Sequence, residues 1–136
     1  MFNYLIKIEY EGTNFVGWQC QKNGKSVQDS VEKALKKVLK TKIRIIGSGR
    51  TDKGVHALSQ YANFKSKIKI KEKKAFLDSM NFFLKRKSIS ILDIKNKSNN
   101  FHARYSAKLR TYEYLIINRQ GYLSIDLNKA WHIKKK

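Results

Sequence analysis

Ile43-Arg44-Ile45-Ile46-Gly47-Ser48-Gly49-Arg50-Thr51-Asp52-Lys53-Gly54-Val55-His56-Ala57-Leu58 is a β-branched stretch that runs into a loop holding three glycines. An arginine and an aspartate are set between them. Glycine lets the backbone take positive φ and approach a ligand closely. The pattern predicts a strand over 43–46, a tight loop that presents Asp52, and a returning strand from Gln60 to Phe64. A carboxylate held out on such a loop is a candidate for chemistry rather than for packing.

Three familiar loops do not fit. A dinucleotide fingerprint needs glycine three residues after Gly49, where Asp52 stands. A P-loop needs Lys and then Ser or Thr after the second glycine, but Val55-His56 follow Gly54. A nucleophile elbow needs glycine two residues before its serine, and Ile46 precedes Ser48 at that distance. Ser48, Asp52 and His56 supply hydrolase residue types, yet a triad is defined by geometry, and His56 is read as a hydrogen-bonded structural residue.

Working outward, Phe2, Tyr4, Ile6, Ile8 and Tyr10 alternate with Asn3, Lys7 and Glu9 as a half-buried first strand. Glu11-Gly12-Thr13-Asn14 turns the chain. Ser26-Val27-Gln28-Asp29 reads as a capping box. It opens a helix whose stripe is Val27, Val31, Leu35, Val38 and Leu39. Downstream, Lys67-Ile68-Lys69-Ile70 continues the alternating polarity. A helix follows from Glu72 to Leu84, with Phe76, Met80, Phe83 and Leu84 on one face. Ser88 to Ile94 is a strand, Lys95 to Asn100 a polar loop and candidate mobile segment, and Thr111 to Asn118 the last strand. The order β-α-β-β-α-β predicts an α+β, ferredoxin-like split β-α-β antiparallel sheet with its helices on one face. No internal repeat or linker interrupts it.

A chain of 136 residues has the length of about one domain. With 41% hydrophobic residues it can bury a core. A formal net charge of +20 points to a polyanionic partner such as nucleic acid. Lys, Asn, Ile, Phe and Tyr recur throughout and proline is absent, a compositional bias that makes individual lysines read as solvated surface. Binding is therefore argued from arginines and motifs. Cys20 is the single cysteine, which excludes an internal disulfide, and it forms no zinc pattern with His56, His102 or His132. The N-terminus is strand-like rather than a signal peptide, and no apolar run approaches the ~20 residues of a membrane span. A cytoplasmic protein is expected.

Gly49-Arg50-Thr51-Asp52-Lys53-Gly54-Val55-His56 resembles the active-site motif of the TruA-type tRNA pseudouridine synthases, Gly-Arg-Thr-Asp-x-Gly-Val-His, at every fixed position. Tyr10-x-Gly12-Thr13-x-Phe15-x-Gly17-Trp18-Gln19-x-Gln21 resembles the same family's N-terminal signature, with Phe15 and Trp18 read as core. Phe101-His102-Ala103-Arg104-Tyr105-Ser106-Ala107 resembles its Phe-His-Ala-Arg-Phe-Ser-Ala stretch, with Tyr105 in place of phenylalanine.

The resemblance implies a role for each matched residue. Asp52 takes the part of the catalytic carboxylate in converting uridine to pseudouridine within the anticodon arm of tRNA. Arg50 helps expel the base from its stack and holds the gap; an ion pair with Asp52 is the bland alternative. Tyr112, the first of two alternating tyrosines, stacks on the substrate, while Tyr114 is expected to pack. Phe101, His102, Ala103, Arg104 and Tyr105 contact tRNA, with Lys71 a further contact across a region of weak similarity. No metal or cofactor is implied, and the complete enzyme is expected to be a homodimer. The family pattern continues through a second half that supplies a basic partner for the aspartate. Residues 1–118 are accordingly read as the loop-bearing unit and 119–136 as the start of a connection onward. A catalytically inactive RNA-binding protein is the competing reading.

Overall fold

The computed structural model describes all 136 residues. Strand β1 (Phe2–Tyr10) is followed by helix α1 (Val27–Leu39), strand β2 (Ile46–Gly47) and strand β3 (Ala57–Ser66). Helix α2 (Lys73–Leu84) and strand β4 (Ile89–Lys97) complete the unit. Two short strands, β5 (Leu115–Asn118) and β6 (Ala130–Ile133), come after it. The first four strands form one antiparallel sheet in the order β2-β3-β1-β4. This is the α+β, ferredoxin-like arrangement that the element order predicts.

Alternation in β1 sets the two faces. Tyr4, Ile6, Ile8 and Tyr10 are buried. Tyr4 sits opposite Phe64 and Ile6 opposite Ala62 on β3, with Ile94 across from Ile6 on β4. Against this face lie Val27, Val31, Ala34, Leu35 and Leu39 of α1 and Phe76, Met80 and Leu84 of α2, all in one core. Ile6 and Ile8 have no exposed surface, and burying each stabilises the fold by about 1.5–3 kcal/mol. Ser26 caps α1 as expected, its hydroxyl accepting from the Asp29 amide at 3.0 Å. The reciprocal half of a capping box is not made, because Asp29 pairs instead with Lys33 at 2.9 Å.

Four segments depart from the sequence reading. The strand expected over 43–46 reduces to Ile46–Gly47. Ile43 and Ile45 are buried, but the Ile45 amide donates to Glu32 Oε1 at 3.0 Å and its carbonyl accepts from Gln28 Nε2 at 3.2 Å. Side chains of α1 thus occupy the groups a neighbouring strand would use. Lys67–Ile70 is not strand: the Ser66 hydroxyl bonds both the amide and the carbonyl of Ile68, and so closes β3. Lys95–Lys97, expected as loop, extends β4 opposite Leu5, Tyr4 and Asn3; polar and charged residues suit an edge strand.

The last departure is at the C-terminal side. The strand expected over 111–118 begins only at Leu115 and pairs in parallel with β6 as a separate two-stranded ribbon. The division expected after residue 118 falls between these two paired strands. Leu115, Ile116 and Trp131 are exposed on the ribbon. No helix is long and apolar enough to cross a membrane.

Candidate active site

The Asp52 loop rests on the segment that leaves β1. The Trp18 amide donates to the Thr51 carbonyl at 3.0 Å, and the Tyr10 and Thr51 hydroxyls are 2.7 Å apart. Gly17 has φ of +126°, and a Cβ there would lie 2.6 Å from the Thr51 carbonyl oxygen. A Cβ on Gly12 would come within 2.0 Å of the Val55 carbonyl oxygen. The two backbones touch where no side chain could fit. Tyr10–Trp18 is therefore the floor beneath the loop, while Phe15 and Trp18 are buried as expected.

On that floor the chain turns, the Val55 amide donating to the Asp52 carbonyl at 3.2 Å, and Asp52 is left exposed. Its carboxylate joins none of the four ion pairs, so the pair with Arg50 is not formed. His56 faces elsewhere: its Nδ1 accepts from the Gly12 amide at 2.8 Å and its Nε2 meets the Asn128 carbonyl. His56 Nδ1 also lies 3.1 Å from Glu11 Oε1. Ser48 bonds Gln60 at 2.8 Å. The three hydrolase residue types form no relay.

Beside the loop opens a cleft of about 530 Å³. Trp18, Arg50, Arg104, Tyr105, Arg110 and Tyr112 are among its walls. Arg50 thus meets Arg104 and Arg110, which come from a segment more than fifty residues further along the chain, in one concavity. Asp52 and Lys108 do not line it; Asp52 follows two residues after Arg50, which does. Lys71 is not brought to this end at all. Its neighbour Ile70 donates to the Tyr4 hydroxyl at 2.8 Å, whereas the loop is bonded to Tyr10, six residues and about 20 Å further along β1.

The Phe101–Tyr105 turn is held by two asparagines that sequence reasoning passed over. Asn63 Nδ2 donates to Asn3 Oδ1 at 3.0 Å across β3 and β1. Asn3 Nδ2 in turn donates to the Ser98 and Phe101 carbonyls at 2.9 and 3.0 Å. Asn63 Oδ1 accepts from the Ala103 amide at 2.8 Å. Both asparagines and Ala103 are buried. With Ala103 pinned, His102 and Tyr105 stack at 4.2 Å between ring centroids, and the Arg104 guanidinium lies 6.0 Å from the Tyr105 ring. Phe101 faces away, its ring beneath Lys97. Asparagine is depleted in strands, so two of them in strand-patterned sequence were the available signal.

Tyr112 is 60% exposed at the cleft, and Tyr114, expected to pack, is 88% exposed. No strand of this chain partners residues 111–114, which leaves Tyr114 exposed. Tyr112 also lies close enough to Tyr10 to act on its charge. Burial pushes the Tyr10 phenol above its ordinary value of 10.0, the Thr51 hydrogen bond pulls it down, and Tyr112 adds a small upward push. The unfolded chain ionises first, so this contribution to stability is intact below the ordinary value and is lost as pH rises through the raised one. Wild type should be more stable than Tyr10→Phe by about 0.5–1.5 kcal/mol at neutral pH. That gap should close as pH rises above the ordinary phenol value and through the raised one; thermal unfolding of both across the range checks it.

A family model described as tRNA pseudouridine synthase matches residues 6–106. The chain belongs to that family. A tRNA pseudouridine synthase A from Pelagibacter ubique (strain HTCC1062) is 52% identical over 136 residues, which cover 100% of this chain and 55% of the relative. One from Anaplasma phagocytophilum (strain HZ) is 42% identical over 135 residues, 98% of this chain and 54% of the relative. One from Thermoanaerobacter sp. (strain X514) is 45% identical over 133 residues, again 98% and 54%. The chain spans about half the length of the curated relatives it matches. The residues matched to the tRNA pseudouridine synthase model include the floor, the glycine loop and the Phe101–Tyr105 turn, while Arg110 and Tyr112 lie just beyond them.

Proposed function

We propose that this chain carries the catalytic loop of an enzyme that isomerises uridine to pseudouridine in the anticodon stem-loop of tRNA, with Asp52 as its catalytic carboxylate. The observation that supports this most is the placement of Asp52. An unpartnered carboxylate on a braced loop adjoins a cleft walled by three arginines and exposed tyrosines. Phosphate binding alone gives no reason for a carboxylate there.

The reaction breaks the bond between N1 and C1′, turns the base, and joins C5 to C1′. N1 gains a proton and C5 loses one, so no external reactant is consumed. Asp52 can attack the sugar or the base, or stabilise the transient species. A stacked uridine must first be extruded. Arg50 then holds the vacated position, and Tyr112 stacks on the extruded base. Arg104 and the His102–Tyr105 stack hold the strand beside it, by phosphate contact and by stacking. The enzyme acts without a cofactor, in the cytoplasm and as a homodimer. The full-length gene product should release tritium from tRNA labelled at uridine C5; binding without release would favour the inactive RNA-binding protein instead.

Affinity for tRNA should fall with added salt by about 0.7–0.9 log units per log of salt for each phosphate neutralised. Arg104→Ala should weaken binding and flatten that slope by about one such unit. Arg50→Ala should chiefly lower turnover. An unchanged slope for Arg104→Ala would remove it from the phosphate contacts.

A further inference from the structure

Residues 107–114 carry Tyr112 along the cleft without belonging to any strand or helix. Among them only Arg110 makes hydrogen bonds that reach another segment. Its Nε donates to the Ser48 carbonyl at 3.0 Å, its Nη2 donates to the same oxygen, and Nη2 also donates to the Arg104 carbonyl at 3.3 Å. One guanidinium therefore ties together the glycine loop, the Phe101–Tyr105 turn and the Tyr112 segment. Gly49 fits the same arrangement. Its φ is not positive, so backbone conformation does not demand glycine, but a Cβ would lie 3.1 Å from Arg110 Nε and 3.4 Å from its Cδ. The absent side chain leaves room for the guanidinium.

We propose that Arg110 is a positioning residue for the uridine isomerisation, a clamp that sets Tyr112 against the loop carrying Arg50 and Asp52. The inference rests on the function proposed above. Three of the five guanidinium donors are spent on backbone carbonyls. They include the Nε–Nη2 edge that a bidentate phosphate contact would use. Arg110 thus differs from Arg104, whose guanidinium reaches no backbone carbonyl. A displacement of about 1 Å at a reacting group costs on the order of 100-fold in rate, so a clamp on an otherwise untethered segment has consequences for turnover.

The test uses the full-length gene product with Arg110→Ala, Arg110→Lys and Gly49→Ala. Arg110→Ala should lower kcat about 10- to 100-fold while leaving KM and the salt slope of tRNA binding near wild type. Lysine should restore only part of the loss, because an ammonium cannot span two carbonyls as a planar fork does. Gly49→Ala should lower kcat in wild type but add nothing to Arg110→Ala, as residues acting through one contact are not additive. In the protein without RNA, chymotrypsin should cut after Leu109, Tyr112 and Tyr114 several-fold faster in Arg110→Ala. Unchanged kcat, or a slope flattened by one phosphate with kcat retained, would overturn the clamp. If wild type itself releases no tritium, the functional reading fails separately, and equal cleavage of wild type and Arg110→Ala still refutes the clamp.

Discussion

Asp52→Asn should abolish tritium release from C5-labelled tRNA in the full-length protein, a loss on the order of 1,000-fold or more for a covalent or charge-stabilising carboxylate. The substitution keeps the shape of the side chain and removes its charge. In the structure the Asp52 carboxylate enters no ion pair. The turn is held instead by the Asp52 carbonyl, which accepts from Val55. The loop should therefore keep its conformation, and the unfolding temperature should match that of wild type. Binding of tRNA should hold or tighten slightly, since a negative charge leaves the proposed phosphate-binding surface. The result to look for is intact fold, intact binding and no turnover. Persisting turnover would end the assignment of Asp52.

Gly12→Ala should be the most damaging change outside the cleft. Its Cβ would sit 2.0 Å from the Val55 carbonyl oxygen and 2.7 Å from the carbonyl carbon. Both are backbone atoms, so no rotamer change relieves the clash. The loop must lift from its floor, and the Gly12 amide must pull away from His56 Nδ1. Overpacking of this kind costs about 1–3 kcal/mol or more, and the shift it imposes on Asp52 should cost turnover at least about 100-fold. Gly121→Ala is the matched control, because a Cβ there meets nothing within 4 Å. Thermal unfolding and tritium release measured on both variants decide the matter. Wild-type turnover in Gly12→Ala would show that the loop does not depend on this contact.

Period-two alternation placed β1 and the core-facing part of β3, and the Ser26 cap placed the start of α1, because local pattern and tertiary burial agree in those elements. The reading failed where a side chain took over a backbone partner. Ile43 and Ile45 alternate like a strand and are buried like one, yet α1 satisfies Ile45 through Gln28 and Glu32. Nothing in the spacing of 43–46 reveals that. Lys67–Ile70 failed for a local reason, the Ser66 hydroxyl ending the strand. In the site, the Asp52 loop stood out because a carboxylate among glycines is unusual on a strand-ending loop, while the roles given to its residues came from the family resemblance. Tyr10 and Arg110 were not recognised in their structural roles, since what matters is which carbonyl or hydroxyl they reach across 41 and 62 residues of chain.

The asparagine pair has a consequence for the order in which the molecule assembles. Asn3 and Asn63 are brought together only when β1 and β3 zip in register, a contact between residues 60 apart. The Phe101–Tyr105 turn then docks on them over separations of 98 and 40 residues. Closing such long loops is entropically unfavourable until the sheet exists to receive them. The Phe101–Tyr105 turn should accordingly be a late arrival in folding and an early departure in unfolding. Weakening either amide would hasten the escape of the turn while scarcely slowing formation of the sheet. The proposed RNA contact is in this sense kinetically separable from the fold that supports it.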